Sequence, residues 1–93
     1  MGIHISIINA NYKEHPDWDW MRYAGDRVFD SWCYTLPKEY MPGNDECFRP
    51  ADFDEWQKQL ADKDFGLGSD NHRYEKLLKI LRDNPEYYIS ISR

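Results

Sequence analysis

The sequence predicts an α+β fold: a small sheet containing both terminal strands, packed on one face by two main helices. Three observations carry this. Alternating isoleucines open the chain, an alternating tyrosine–isoleucine run closes it, and two stretches between them hold apolar residues at helical spacing. Ninety-three residues make one domain, 1–93, near the lower end of what sustains its own core.

Ile3, Ile5 and Ile7 alternate with His4 and Ser6, the period of a strand with one buried face. Residues 16–24 suit a short helix ended by Gly25. Residues 31–36 are a third strand candidate with Trp32, Tyr34 and Leu36 on one side, and they equally suit the continuation of a preceding helix. Pro37, Pro42 and Gly43 mark an irregular connection over about 37–49. A helix is expected from about 50 to 62, with Phe53, Trp56 and Leu60 as its buried stripe. Pro50 suits its first turn, and Asp52 with Glu55 fits a capping box. Gly66 and Gly68 belong to a loop over 64–69. Tyr74, Leu77, Leu78 and Leu81 then fall at i, i+3, i+4 and i+7, a second amphipathic helix. Ser69, Asp70 or Asn71 suits its cap, and Asn84-Pro85 stops it. Tyr87, Ile89 and Ile91 share one side of the closing strand.

Composition narrows the function classes. The net charge of -5 argues against general binding to a nucleic-acid backbone. The acidity is uneven, with -6 over residues 1–69 and +1 over 70–93. Any bound anion therefore needs a local arginine pocket. Four Trp, seven Tyr and four Phe are more rings than a domain of this size encloses, so some are expected at a groove or interface. No apolar run approaches the roughly 20 residues of a membrane span, and no signal peptide is read. Residues 1–6 fit an N-myristoylation pattern, but the same residues alternate as a strand, which is the preferred reading. Cys33 and Cys47 lack CxxC spacing and are expected as free thiols of a reducing cytoplasm.

The densest chemistry lies in His15-Pro16-Asp17-Trp18-Asp19-Trp20, followed by Arg22, Tyr23, Asp26 and Arg27. Aromatic faces beside guanidinium groups suit a flat, charged ligand: Trp18, Trp20 or Tyr23 stacking on a base, Arg22 and Arg27 gripping phosphate or carboxylate. The same residues equally suit the half-wet edge of a small core. Arg49, just before the expected helix start, is a further anion contact or else a local salt-bridge partner of nearby acids. His15, Asp17 and Asp19 offer metal-ligand atoms without the spacing of a metal site, and no metal or cofactor is expected. No GxSxG occurs, and Asp64-Phe65-Gly66 lacks every other kinase signature. Nothing here assigns a catalytic residue.

The HPDWDW run, Gly25-Asp26-Arg27, and Arg49-Pro50-Ala51-Asp52-Phe53 together resemble a class of small uncharacterised proteins encoded by bacteriophages and prophages. The resemblance implies a bacterial cytoplasm and, for a small protein without enzyme motifs, a role against host defence. The expectation is a non-enzymatic binding protein, acting as a homo-oligomer, that sequesters a nucleotide-derived signalling molecule. Its ligand contacts would be Trp18, Trp20, Arg22, Tyr23, Asp26, Arg27 and Arg49. One alternative is an inhibitor that binds a host defence protein through an aromatic and acidic surface. The other is a small metal-dependent nucleotide hydrolase.

Overall fold

The structure is a computed structural model that describes residues 3–19, 25–63 and 71–92, the side chain of Asn71 excepted. Four antiparallel strands form one sheet in the order β1-β4-β3-β2, where β1 is His4–Asn9, β2 Lys38–Met41, β3 Asn44–Pro50 and β4 Tyr87–Ser92. The first and last strands pair in the middle of the chain's alternation: Ile5 faces Ile91 and Ile7 faces Ile89. Their shared register puts the isoleucines on one face, because side chains two residues apart point the same way.

Three helices cover that face, α1 Asp26–Cys33, α2 Phe53–Ala61 and α3 Asn71–Asp83, the last two at the places of the two main helices expected. Phe29, Trp32 and Cys33 of α1, Trp56 and Leu60 of α2, and Tyr74, Leu77, Leu78 and Leu81 of α3 meet Ile5, Ile7, Phe48 and Ile89 in one core. Aromatic rings fill much of it. Phe29 stacks on Tyr74 at 4.5 Å, and Trp32 meets Trp56 edge-on at 5.4 Å. The fully buried Trp56 indole stays satisfied by donating to Pro37 O at 2.7 Å.

Helix α1 decides between two readings of 31–36: the segment is not a third strand but continues a preceding helix, as its last turn and exit, because Phe29, Trp32 and Cys33 follow helical spacing. Gly25, expected to end a helix over 16–24, stands at the start of α1, where its carbonyl accepts from Phe29 N at 2.9 Å. Residues 15–19 form a turn, and 20–24 of the expected short helix lie outside the described residues. The α1 exit is held by Thr35 Oγ1 on Trp32 O and by the Lys38 ammonium, which donates to the carbonyls of Cys33, Tyr34 and Leu36.

The expected irregular stretch after Pro37 is a hairpin. Pro42 and Gly43 form its two-residue turn, and Gly43 has a φ of +81°, the left-handed backbone that such a turn demands after proline. Pro50 closes β3 instead of opening the helix. Asp52 is the cap of α2, and its Oδ1 accepts from Glu55 N at 3.1 Å. The reciprocal half of the capping box is replaced, since Glu55 Oε1 accepts from Gln59 Nε2. The stop of α3 is as expected, and Asn84 Nδ2 donates back to Ile80 O at 2.8 Å.

On the other face of the sheet Ile8, Met41 and Cys47 form a small second cluster beside Tyr88. After β1 the chain folds back along its own edge, where Glu14 bridges to Ile8 and His15 N donates to Ile7 O. At the tip, Tyr12 takes a left-handed φ of +61°, and its hydroxyl accepts from Asn44 Nδ2 at the β2–β3 hairpin. A Cβ at Gly43 meets nothing within 4 Å, so its conformation alone opposes substitution. Gly43→Ala is expected to lower unfolding free energy by about 1 kcal/mol, and Gly43→Asn by less, in urea titrations.

Candidate functional site

The sequence singled out Trp18 and Asp26, and the structure brings them together around a partner from the other end of the chain. Arg73, on the first turns of α3, lies flat over the Trp18 ring with its guanidinium carbon 4.2 Å from the centroid. Its Nε faces Asp26 Oδ1 at 3.4 Å, and its Nη1 donates to Asp19 O at 2.9 Å. Tyr74, the next residue, donates its hydroxyl to the same Asp26 Oδ1 at 2.6 Å. The Trp18 indole donates to Ile5 O at 2.9 Å. Asp26 is 1% exposed and Arg73 9%. These are the aromatic, cation and carboxylate that the sequence offered to a ligand, but they face one another. Their arrangement closes a joint between β1, α1 and α3.

Arg49 is equally committed. Its Nη1 donates to Pro85 O and Tyr87 O at 2.8 Å and to Asn84 O at 3.4 Å, while Nη2 donates to Leu81 O at 2.9 Å. The guanidinium lies over Phe53 and Tyr88 at 5.4 and 5.9 Å. It thereby satisfies the carbonyls that a helix C-terminus leaves open and fixes the turn from α3 into β4. The expected anion dock at the α2 start is also filled, because the Asp52 carboxylate caps it. Arg27 sits on the first turn of α1 and is exposed. Trp20, Arg22 and Tyr23 lie outside the described residues.

Among the described residues no three His, Cys, Asp or Glu side chains gather in a way that could hold a metal ion. His15 Nδ1 accepts from Asp17 N, and its ring meets Tyr87 edge-on at 4.8 Å. Cys33 and Cys47 are free thiols on opposite faces of the sheet, one in each core cluster. Burial pushes the Cys33 thiol well above its ordinary range, and the Asp30 carboxylate adds to this while Lys38 opposes it. Burial also raises Cys47, against a hydrogen bond from Ser90.

Open aromatic surface lies elsewhere. Tyr34, just past α1, is 50% exposed, and Tyr40 on β2 is 47% exposed. Their rings approach the buried Phe48 from two sides, at 6.2 and 6.3 Å. Together with Asp45, Glu46 and Ser90 they line a groove of about 470 Å³. Among the described residues, two carboxylates and no cation line it; the Lys38 ammonium lies 5.3 Å over the Tyr34 ring and is held by its three carbonyls. Sequence reasoning passed over these residues. The available signal was two tyrosines flanking the adjacent acids Asp45 and Glu46. A second groove of about 460 Å³ between α2 and α3 carries Lys79, Arg82 and Asp83, whose charges are paired locally as Lys79–Asp83 and Arg82–Asp54. That pairing leaves it without a field of one sign.

Comparison with protein families, with curated proteins and with solved structures finds no match to this chain. No helix among the described residues is long and apolar enough to cross a membrane.

Two outcomes follow. Asp26→Ala leaves Arg73 and Tyr74 without their carboxylate and is expected to cost about 3 kcal/mol of unfolding free energy. Arg27→Ala should stay within about 0.5 kcal/mol in the same denaturant titration. The raised Cys33 thiol gives stability that is complete below the ordinary thiol value of about 8.5. It is lost as pH rises toward the folded value, because the unfolded chain releases that proton first. Urea midpoints should therefore fall above about pH 8.5, and Cys33→Ala should flatten part of the fall.

Proposed function

We propose that this chain is a non-enzymatic binding protein that docks a basic surface of a partner protein through the tyrosine–carboxylate groove. One observation carries the reading: Tyr34 and Tyr40 stand half-exposed over a hollow whose charged lining, among the described residues, is Asp45 and Glu46. Exposed tyrosines supply large contact area at low entropic cost, and carboxylates at a groove rim select and steer a cationic partner. In the phage setting that the sequence resemblance implies, the partner is a host defence protein in the bacterial cytoplasm.

Sequestration of a nucleotide draws less support. Of the arginines offered to phosphate, Arg49 is spent on backbone carbonyls. Asp26 and Trp18 are turned onto Arg73. Arg27 is the exposed cation left among the described members of that set.

Titration calorimetry with a short peptide of alternating arginine and valine tests the reading. Binding should weaken with added salt, and the double variant Asp45→Asn, Glu46→Gln should lower affinity by about fivefold, as expected for two rim charges. ATP should give no heat. Tight ATP binding with no response to the peptide would replace this reading with the nucleotide one.

A further inference from the structure

The register of the hairpin decides which backbone groups of β2 point away from the sheet. Pro50 has no N–H, and Ala51 N donates to Pro37 O at 3.2 Å, so Lys38 and Pro50 form a non-hydrogen-bonded pair. Alternation along the ladder then turns the N–H and C=O of Glu39 toward Arg49 and those of Lys38 and Tyr40 outward. β2 is an outer strand, and among the described residues no backbone hydrogen bond occupies the outward groups of Lys38 and Tyr40. The opposite edge is treated differently, because Glu14 and His15 close over β1.

Edge strands are commonly guarded by a lysine pointing outward, by a proline or by a covering segment. β2 contains no proline, and its one lysine is turned back onto the carbonyls of Cys33, Tyr34 and Leu36. The outward row of donors and acceptors therefore lies beside Tyr40, which is also a wall of the groove.

We infer that the edge of β2 receives an extended basic segment of the partner, which adds to the sheet as a fifth strand. This rests on the groove reading above and specifies how the groove is filled. A residue paired with Tyr40 in the added strand stands about 5 Å away on the same face. Its cationic side chain then reaches over Tyr40 toward Asp45 and Glu46. The backbone supplies affinity and the groove supplies selection. A second copy of this chain is the poorer occupant, because it would set Glu39, Asp45 and Glu46 of one molecule against the same acids of another in a protein of net charge -5.

Amide hydrogen exchange of the full chain, read residue by residue by NMR with and without the arginine–valine peptide, tests this. On binding, the Lys38 and Tyr40 amides should slow by about tenfold or more, while Glu39, already bonded to β3, should not change. Methylating the peptide nitrogens of the arginines, which face the edge when their side chains lie with Tyr40, should weaken binding by about tenfold. Methylating those of the valines should not weaken it. If the peptide binds, responds to the Asp45→Asn, Glu46→Gln variant, and yet both methylated forms bind equally with no amide protection, strand addition is wrong and the groove reading stands. If the peptide does not bind at all, both are wrong. Protection of Lys38 and Tyr40 without peptide, together with a dimer by sedimentation, would assign the edge to a second copy.

Discussion

The contact on which the fold depends is the carboxylate of Asp26 enclosed by Tyr74 and Arg73. A charge that is 1% exposed is tolerable only when donors surround it, and here two adjacent residues of α3 supply them. Around this point, separate pieces of the molecule acquire fixed positions. Arg73 holds Trp18, Trp18 holds the backbone of β1 at Ile5, and the Tyr74 ring stacks on Phe29 of α1. A small core built largely of flat rings has many near-equivalent ways to pack. A directional polar contact at its margin selects one of them.

Arg49 does comparable work at the other end of α3, and the two arginines share a logic. Each places a planar, many-donor head on backbone carbonyls and over an aromatic ring, which an ammonium on a flexible stem would do poorly. Lys38 shows the smaller version, with three carbonyls at the end of α1 and a tyrosine face beside it. The chain thus uses three of its twelve Lys and Arg residues, Lys38, Arg49 and Arg73, as internal fasteners. Several of its seventeen acids are left on the surface, and that imbalance gives the tyrosine groove its sign.

The periodic elements were readable from residue order. Ile5 and Ile7, Ile89 and Ile91, Phe53 with Trp56 and Leu60, and the Tyr74–Leu81 stripe all point where their spacing says, because each is decided by its own local pattern. Two elements were not. In α1 the rings of Trp32 and Tyr34 are two apart, which mimics a strand, while the true burial period runs through Phe29, Trp32 and Cys33. In the hairpin, charged residues and a wide irregularity between Tyr40 and Met41 hide the alternation, although Pro42-Gly43 is itself a turn signal. For the candidate site, the sequence marked Trp18 and Asp26 as ligand contacts, whereas both meet a cation of the same chain. It could not show that their cation is Arg73, since only the closed fold brings residues 47 positions apart into contact. The open groove escaped for the same reason, because Tyr34, Tyr40 and Asp45 meet only once the hairpin has turned.

The closing of the β1 margin by residues 14–15 has a consequence for how this molecule can assemble. A sheet with two free margins can add a copy at each end, and every addition creates the margin for the next. Here residues 13–15 already bond the backbone of Ile7 and Asn9 along the β1 margin. A copy added at β2 would therefore offer a partly blocked margin on its far side, which works against open-ended filaments.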